Sequence, residues 1–466
     1  MSIFKAYDVR GIFSENLSEK EAYLIGYYIC KQLDLEELKI AHDLRLSHEP
    51  LTKFLIQGIL DANSSVIYLG ESSTPNFYYS LFKRGNSGIM ITASHNPKEY
   101  NGFKFIINGD SFDSRNGLYD LKKLVEEDKE NKNIEFAQIK DSISAYSLEE
   151  FLSINEIKIE STLKDYITFL ENFYNINLTE NEKNILKENP ISLDFSSGMS
   201  SLAIKPFLER VKIDANFYND IPDGNFPIHS PDPSKAQDFL KEKISDKSLF
   251  TAVFDGDGDR ILFYDENKEL ILPDYGIATL VDFFSNSSKK FVCDLRSSRI
   301  LTDIAKEKHL DLSLIRVGRA FYKDFMDKNN CIFGAELSGH LFFRDFHNFD
   351  NPDLGLIFIL KIVSSKLIEG SFGSFSSFLE KYKKYHKIPE TNLKVSNADL
   401  VFKNLKEKYA DKIIMEIDGI SFDFKEHWFN IRKSNTEPVV RLNFEGNEKI
   451  HTEKEFEKLV TLIKNI

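Results

Sequence analysis

The chain contains little sulphur and almost no tryptophan. Its 466 residues include three cysteines, five methionines and one tryptophan. Cys30, Cys293 and Cys331 are odd in number and widely spaced, so we expect no disulfide framework and predict a reducing compartment, the cytoplasm. The forty phenylalanines point to no particular chemistry and are interpreted as core filler.

Long hydrophobic runs are also missing. The longest, Leu354–Leu360 and slightly beyond, is interrupted by Lys361 and is far shorter than the ~20 residues that span a bilayer. The first residues, MSIFKAYDVRGIF, have no basic segment followed by an apolar one, so we predict no signal peptide. We therefore expect no association with a membrane.

An excess of basic residues is missing as well. Lys and Arg number 60 against 73 Asp and Glu, which gives a net charge of −13. A protein of this charge is not expected to bind nucleic acid, because the phosphate backbone needs a basic face. If the substrate is an anion, a local cluster of cations must bind it.

The length and the hydrophobic pattern predict several α/β domains. A single core stops growing near ~250–300 residues, and this chain is longer. Apolar runs that predict strands, such as Lys39–Ala41, Lys290–Asp294 and Leu314–Val317, alternate with amphipathic stretches that predict helices, such as Glu19–Leu33. This alternation is typical of α/β domains with mostly parallel sheets.

The first segment that could carry chemistry contains Ser94. The apolar run Gly88–Ile91 leads into Thr92–Pro97, where the residue before proline avoids the helical region and a turn is expected. Ser94 would then lie at a strand end, where α/β folds place ligands, and His95 and Lys104 could bring positive charge to a phosphate. The alternative, a turn whose hydroxyl bonds only to backbone, stays open. The G-x-S-x-G elbow of a hydrolase nucleophile is absent.

The second segment is Asp255-Gly-Asp257-Gly-Asp259-Arg260, directly after the predicted strand Phe250–Phe254. Three carboxylates within five residues repel one another, and a hard divalent cation with oxygen ligands relieves that repulsion. An EF-hand is disfavoured, because Arg260 stands at the sixth position, where that loop needs glycine. The pattern favours metal binding over an acidic turn that faces solvent.

The third and fourth segments are polar loops. Glu336 and Ser338 lie in Gly334–His340 and offer acceptors for sugar hydroxyls, although an ordinary glycine turn would look the same. The stretch Arg432–Pro438 supplies several donors in one loop before the predicted strand Val439–Phe444. That set of donors suits a phosphate dianion, and a charged β-turn is the alternative.

Together the four segments resemble the α-D-phosphohexomutase family, in particular its bacterial phosphomannomutase/phosphoglucomutase branch. The resemblance begins at Lys5–Gly11 and ends with the loop around Ser434. It implies an α/β fold of four domains around a central cleft, three similar α/β domains with mixed sheets and a smaller C-terminal α+β domain. The predicted domains are residues 1–157 with the phosphoserine loop, 158–269 with the metal loop, 270–380 with the sugar loop and 381–466 with the phosphate loop.

The resemblance also implies a function. The chain would be an isomerase that interconverts hexose 1-phosphate and hexose 6-phosphate, with mannose or glucose as the sugar. A phosphoserine and a hexose 1,6-bisphosphate would be the intermediates, and the bisphosphate would also be the activator. The expected partner is a small phosphosugar, with neither nucleic acid nor membrane, and the chain would be a monomer or a dimer.

Each site residue takes its role from the same resemblance. One Mg²⁺ would be held by Ser94, Asp255, Asp257 and Asp259, and Ser94 would carry the phosphoryl group. The substrate would be bound by Glu336, Ser338, Arg296, Arg432, Ser434, Asn435 and Thr436. The remaining catalytic residues would be Arg10, His95, Lys104, Arg260 and His340, and either Lys104 or His340 would be the general base.

The sequence departs from the family pattern at a few positions. Ala41–Arg45 reads AHDLR where many relatives have Gly-Arg-Asp-x-Arg, Arg296 stands where lysine is common, and Arg319 stands where histidine is common. These departures leave the sugar open. Phosphoglucosamine mutase ranks second, because such relatives usually carry glutamine where Leu337 stands. A metal-dependent sugar phosphatase and a non-enzymatic calcium-binding module are the alternatives from other classes.

Overall fold

The structure is a computed structural model that describes residues 2–83, 86–131, 135–244, 247–433 and 439–465. It divides into two compact units, Met1–Ile271 with Gly339–Phe375, and Leu272–Ser338 with Ser376–Ile466. The chain thus leaves the first unit after residue 271, returns to it at 339 and leaves it again after 375. Within the described ranges, no helix combines the length and the apolar content needed to cross a membrane.

The first sheet of the first unit is mixed in strand direction. Its strands are β1 (Val9–Ile12), β2 (Glu37–His42), β3 (Ser65–Glu71), β4 (Gly88–Ile91), β5 (Tyr100–Ile107), β6 (Asp110–Ser111) and β7 (Lys158–Ile159), paired in the order β1-β5-β4-β2-β3-β7 with β6 on β5. β5 is antiparallel to β1 and β4, whereas β2 is parallel to β3 and β4. His42 pairs with Ile91, so the loops that follow β2 and β4 leave the same edge of the sheet.

The helices around this sheet are α1 (Glu19–Leu33), α2 (His48–Asp61), α3 (Thr74–Lys83), α4 (Leu118–Asn131), α5 (Phe136–Ile143) and α6 (Leu148–Ile154). α1 begins at a capping box in which the side chains of Ser18 and Glu21 bond to each other's backbone N–H. α1 and α2 approach closely at two glycines. A Cβ at Gly26 would lie 2.3 Å from Leu55 O, and one at Gly58 would lie 2.1 Å from Tyr23 O. Any larger residue would push the helices apart.

The second sheet of the first unit ends in a tight hairpin. The elements are α7 (Leu163–Asn177), α8 (Glu180–Glu188), β8 (Ile191–Asp194), α9 (Ser201–Val211), β9 (Ala215–Tyr218), α10 (Gln237–Lys243), β10 (Thr251–Phe254) and β11 (Ile261–Tyr264). The strand order is β11-β10-β8-β9, and only the pair β10 and β11 is antiparallel among the described strands. Phe254 pairs with Ile261, so residues 255–260 form the connecting loop.

The next segment contributes to both units. Its elements are α11 (Pro273–Phe284), β12 (Lys290–Asp294), α12 (Arg299–Glu307), β13 (Asp311–Ile315), α13 (Arg319–Asn329), β14 (Phe333–Ala335), β15 (Leu341–Phe343) and α14 (Pro352–Ile368). In the second unit β12 is parallel to both β13 and β14. In the first unit α14 packs beside α8, where Lys361 Nζ contacts Glu182 Oε2 at 2.6 Å.

One strand prediction in this segment is wrong in its boundaries. The sequence predicts a strand at Leu314–Val317, whereas β13 spans Asp311–Ile315. The register with β12 runs from Lys290 opposite Asp311 to Asp294 opposite Ile315. The boundaries of β13 are therefore set by its pairing with the whole of β12 and not by the apolar run Leu314–Val317.

The C-terminal part of the second unit is an antiparallel sheet with helices. Its elements are α15 (Phe375–Leu379), β16 (His386–Lys394), α16 (Ala398–Lys408), β17 (Ile413–Met415), β18 (Ile420–Asp423), β19 (His427–Lys433), β20 (Val439–Gly446) and α17 (Lys449–Lys464). The strand order is β16-β20-β19-β18-β17. Phe422, Phe429 and Phe444 stack on one face of this sheet, with ring centroids 4.8 and 6.0 Å apart, as expected for a chain that fills its cores with phenylalanine.

Candidate active site

The loop that carries Ser94 is held by a buried arginine. Ser94 has a φ of 52°, a left-handed conformation that costs ~1–3 kcal/mol for a residue other than glycine. Arg45 is 0% exposed. Its terminal nitrogens donate to the carbonyl oxygens of Ser94 (2.7 Å), Asn96 (2.7 Å), Pro97 (2.6 Å) and Tyr100 (3.0 Å). These four bonds offset the strain and fix the position of the Ser94 hydroxyl.

Asp43 completes the support of this loop. Its Oδ2 lies 3.1 Å from Arg45 Nε and accepts a hydrogen bond from Thr92 Oγ1 at 2.6 Å. Burial raises the pKa of Asp43, and the adjacent Arg45 opposes that rise. Thr92 Oγ1 in turn accepts the N–H of Ser94 at 2.9 Å. The loop after β2 therefore positions the loop after β4.

The loop between β10 and β11 is folded around its first aspartate. Asp255 Oδ1 accepts the backbone N–H groups of Asp259 at 3.0 Å and Arg260 at 3.2 Å. Gly258 has a φ of 75°, and a Cβ there would lie 2.3 Å from Ser200 Oγ, so this position needs glycine. The turn directs the side chains of Asp255, Asp257 and Asp259 to one point.

Ser94 and the three aspartates come together in the first unit. Ser94 Oγ donates to Asp255 Oδ2 at 2.8 Å, and oxygen atoms of the three carboxylates lie within 4.8 Å of one another. All four side chains belong to residues that are at most 1% exposed. Burial, reinforced by Asp259 and Asp257, raises the pKa of Asp255 well above its usual range. Such a cluster needs positive charge.

Lys104 supplies part of that charge. Its Nζ lies 2.5 Å from both Asp257 Oδ2 and Asp259 Oδ2. Asp257 Oδ1 is nevertheless buried without a hydrogen-bond partner among the described residues. The donor set consists of carboxylate and hydroxyl oxygens, which hard divalent cations prefer. The trio therefore has the composition and the spacing of a site that could hold a metal ion.

His340 lies beside this cluster in a defined orientation. Its Nδ1 is 2.8 Å from Asp350 Oδ2, and its Nε2 accepts a hydrogen bond from Arg260 Nε at 3.1 Å. Arg260 Nε also lies 3.9 Å from Asp255 Oδ2. Since Arg260 can only donate, Nδ1 must carry the ring proton toward Asp350, and Nε2 keeps a lone pair.

His95 is part of the serine loop, and Arg10 contacts that loop. His95 Nδ1 is 3.3 Å from Ser94 Oγ. Burial, with smaller contributions from Arg260 and Arg10, lowers the pKa of His95 well below its usual range, so this ring is neutral at neutral pH. Arg10 donates to Asn96 Oδ1 at 2.7 Å and thereby braces the serine loop.

The second unit holds the predicted sugar-binding residues. Arg296 Nε donates to Asp294 Oδ1 at 2.9 Å, and Arg296 Nη2 lies 3.9 Å from Glu336 Oε1. Glu336 Oε2 and Ser338 Oγ are both buried without a hydrogen-bond partner among the described residues. An acceptor and a hydroxyl in that state are able to bond to the hydroxyl groups of a ligand.

Only Arg432 and Lys433 of the predicted phosphate loop are among the described residues. Arg432 is the second-last residue of β19 and is 8% exposed. Its Nη2 donates to Glu390 Oε2 at 3.0 Å. Ser434, Asn435 and Thr436 lie outside the described residues.

Several residues of these clusters were not found from the sequence. Asp43 and Arg45 match the family pattern Gly-Arg-Asp-x-Arg, from which only Ala41 and His42 depart, but neither was assigned to the site, although a charged pair after a buried strand is itself a signal. Asp350 lies two residues before the first residue of α14, Pro352, and acidic residues are common near a helix N-terminus for reasons unrelated to catalysis. Glu390 follows Pro389 in a polar stretch without any pattern of its own.

The chain is similar to known proteins over its whole length. Models described as phosphoglucomutase/phosphomannomutase alpha/beta/alpha domains I, II and III match residues 1–132, 164–268 and 273–385, and the model of the C-terminal domain matches residues 390–462. A phosphomannomutase of Methanocaldococcus jannaschii is 32% identical over 474 aligned residues, which cover 100% of this chain and 97% of the relative. A phosphoglucomutase of Neisseria gonorrhoeae is 27% identical, with 97% and 94% covered.

A solved structure supports the same architecture. A phosphoglucomutase/phosphomannomutase family protein from Burkholderia thailandensis matches with a TM-score of 0.78 at 23% identity, and the match covers 99% of this chain and 97% of that one. The predicted four-domain α/β organisation with mixed sheets is therefore confirmed. The chain belongs to the phosphoglucomutase/phosphomannomutase family of α-D-phosphohexomutases, in its bacterial branch, and is an isomerase that acts on hexose phosphates.

Proposed function

We propose that the chain interconverts hexose 1-phosphate and hexose 6-phosphate of mannose and glucose, with Ser94 as the phosphate carrier and a hexose 1,6-bisphosphate as the intermediate. One observation carries the proposal: Ser94 Oγ lies 2.8 Å from Asp255 Oδ2, within a cluster of three buried carboxylates. Relatives named phosphomannomutase and phosphoglucomutase support both sugars.

The four matched regions support four domains. We place their boundaries at residues 157, 269 and 380. The scarcity of cysteine supports a cytoplasmic location.

Asp255, Asp257, Asp259 and Ser94 are the residues that would hold Mg²⁺. When bound, the ion would neutralise charge on the transferring phosphoryl group. Arg260 would do the same, and two observations support this role: its Nε lies 3.9 Å from Asp255 Oδ2, and its planar fork suits phosphate oxygens. His95 is close enough to Ser94 Oγ, at 3.3 Å, to exchange a hydrogen bond with it.

The transfer step needs a group that takes the proton of the sugar hydroxyl. The bond between phosphorus and Ser94 Oγ breaks, a bond to the hydroxyl oxygen forms, and the proton leaves that oxygen. His340 Nε2 has a lone pair, which accepts from Arg260 Nε and would be released when Arg260 turns to the phosphate, and Asp350 holds the opposite nitrogen. Lys104 is a donor to two carboxylates. We therefore assign proton transfer to His340 and charge balance to Lys104.

The phosphate carrier is tested by Ser94→Ala. We expect this variant to lose turnover, and intact-mass measurement should show one phosphate on the active wild-type protein that the variant lacks. Ser80→Ala is the matched control, because Ser80 is a buried serine whose Oγ donates to the carbonyl oxygen of Phe77. Normal activity in Ser94→Ala would contradict the carrier role.

The sugar is tested by a coupled assay with glucose 1-phosphate and mannose 1-phosphate side by side, each with a trace of the bisphosphate as activator. We expect turnover of both. Release of inorganic phosphate at the same rate would instead indicate the phosphatase. Turnover of glucosamine phosphate alone would favour phosphoglucosamine mutase. A calcium-binding module is not consistent with membership of a family of enzymes.

The phosphate loop is tested by Arg432→Ala. Loss of a charge-assisted contact to the non-transferred phosphate should raise KM by the equivalent of ~2–3 kcal/mol, whereas kcat should change less. Ser434, Asn435 and Thr436 are assigned to the same phosphate. An unchanged KM would remove the loop from the binding site.

A further inference from the structure

Glu390 joins two arginines that come from different elements of the second unit. It lies in β16, and its side chain is 27% exposed. Its Oε2 accepts hydrogen bonds from Arg432 Nη2 at 3.0 Å and from Arg296 Nη1 at 3.3 Å. A third guanidinium, that of Arg441, has its Nη1 3.8 Å from Glu390 Oε1. One carboxylate therefore lies among three positive groups.

The carboxylate is anchored independently of the arginines. Asn443 Nδ2 donates to Glu390 Oε2 at 3.1 Å from the adjacent strand β20. Although burial acts to raise it, Arg432 and Arg296 together lower the pKa of Glu390 to about 2. The group is thus ionised at every pH at which the enzyme would be assayed, and a neutral amide also holds it in place.

Arg296 is occupied by carboxylates on two of its edges. Its Nε donates to both oxygens of Asp294, at 2.9 and 3.0 Å, and its Nη1 donates to Glu390. Arg432 is occupied on one side only. Its Nη1 lies 4.0 Å from Asp418 Oδ2 and makes no hydrogen bond to a residue that the structure describes. The two arginines therefore differ in what they can still bind.

We propose that Glu390 is a positioning residue for substrate phosphate, which it serves by holding the guanidinium group of Arg432 in place and linking it to Arg296. The inference rests on the proposed function, in which Arg432 binds the non-transferred phosphate. A carboxylate that blocked the arginine would bridge two of its nitrogens. Both oxygens of Glu390 instead contact the single nitrogen Nη2 of Arg432, at 3.3 and 3.0 Å, whereas Asp418 Oδ2 lies beyond hydrogen-bond distance of Nη1, at 4.0 Å, so that Nη1 can still donate to a ligand. Because the Arg432 side chain is already held in place, it loses less conformational entropy when phosphate binds, and the affinity is higher.

The test measures binding of glucose 6-phosphate by calorimetry, in a Ser94→Ala background so that no turnover occurs. Glu390→Gln keeps the shape of the side chain and removes its charge. We expect affinity to fall by about tenfold in a variant that remains folded at the temperature of the measurement, although loss of the arginine-paired charge also lowers its thermal unfolding midpoint. In the otherwise wild-type enzyme the same substitution should raise KM more than it lowers kcat, a split that a purely structural role would not produce.

Asp423→Asn is the matched control. Asp423 also pairs with an arginine in the second unit, since its Oδ1 lies 2.6 Å from Arg299 Nη2, but the proposal gives it no role in the site. We expect this variant to bind glucose 6-phosphate as the parent does. Asn443→Ala removes the neutral anchor of Glu390 and should weaken binding in the same direction by a smaller factor, which keeps the test decisive if Glu390→Gln folds poorly.

The outcomes separate this inference from the function on which it rests. Unchanged or tighter binding in Glu390→Gln would overturn the inference, and tighter binding would show that the carboxylate competes with phosphate. A loss of binding in Arg432→Ala together with normal binding in Glu390→Gln would leave the phosphate loop intact and refute only the role of Glu390. Normal binding in Arg432→Ala would refute the phosphate loop itself.

Discussion

Removal of Lys104 is the sharpest perturbation of the carboxylate cluster. The residue is 1% exposed, and its Nζ contacts Asp257 and Asp259 at 2.5 Å. Lys104→Met keeps most of the side-chain length and removes the charge. Loss of one partner from a buried ion pair costs ~3–5 kcal/mol, because the other charge is left without compensation. The variant should therefore be markedly less stable than the wild type when no divalent cation is present.

Magnesium should restore much of this stability. An ion that binds only the folded state stabilises it by about 2.7 kcal/mol at one hundred times its dissociation constant. In Lys104→Met the three carboxylates lose the ammonium group that competes with Mg²⁺. Mg²⁺ should therefore bind this variant more tightly and stabilise its folded state more than it stabilises the wild type. The expected signature is a thermal unfolding midpoint roughly 5–10 °C below wild type in EDTA, and an upward shift on addition of MgCl₂ that exceeds the wild-type shift.

Lys268→Met provides the comparison. Lys268 is another buried lysine of the first unit, and its Nζ donates to the hydroxyls of Ser248 and Thr251. Its substitution should leave the magnesium shift at the wild-type value. The reasoning is refuted if Lys104→Met unfolds at the wild-type temperature in EDTA, or if MgCl₂ raises its midpoint by less than it raises that of the wild type.

Three further changes test other parts of the first and second units. Burial raises the pKa of Asp353 from 3.8 to about 7. Between pH 4 and 7 the folded state therefore keeps a proton on Asp353 that the unfolded state releases, and the free energy of unfolding falls as the pH rises through this range. Asp353→Asn keeps an acceptor for the Tyr166 hydroxyl. Between pH 4 and 8 its free energy of unfolding, measured with urea, should rise by up to roughly 4 kcal/mol relative to that of the wild type. A difference independent of pH would contradict this. Gly258→Ala should lower the free energy of unfolding by about 1–3 kcal/mol, because its Cβ would lie 2.3 Å from Ser200 Oγ. It should also reduce the rise in thermal unfolding midpoint that MgCl₂ causes. An unchanged rise would contradict the view that the metal loop is rigid. Glu336→Gln should lower kcat/KM by the equivalent of ~2–3 kcal/mol while intact mass still shows the phosphate on Ser94; loss of that phosphate would place Glu336 in the phosphorylation step instead.

Local signals in the sequence predicted the elements that depend on local physics. α1 spans Glu19–Leu33 as predicted, because its capping box and its apolar period agree. β12 spans Lys290–Asp294 as predicted, because a short apolar run with clear boundaries is sufficient there. β13 was misplaced, because its boundaries are set by pairing with β12, and such a partner cannot be read from the segment itself.

The same distinction applies to the site. Asp255, Asp257 and Asp259 lie within five consecutive residues, and their mutual repulsion can be inferred from the sequence alone. The role of Arg45 depends on carbonyl groups about fifty residues further along the chain, which no spacing rule indicates. Glu390 likewise acquires its surroundings from residues as distant as Arg296. Groups that bind through their own motif are predictable, and groups that position other groups are not.

Arg296 shows how a departure from the family pattern becomes intelligible in the structure. The resemblance gives lysine as the common residue at this position. A lysine ammonium is a compact point charge, whereas a guanidinium is a planar fork with five donors. Here the fork donates to both oxygens of Asp294 through Nε and reaches Glu390 through Nη1. A single ammonium could not keep both geometries, because the two carboxylates are approached from different edges of the group. Arg296 and Glu390 therefore act as one unit. Replacing either residue should change the position of the other side chain more than it changes binding of the sugar.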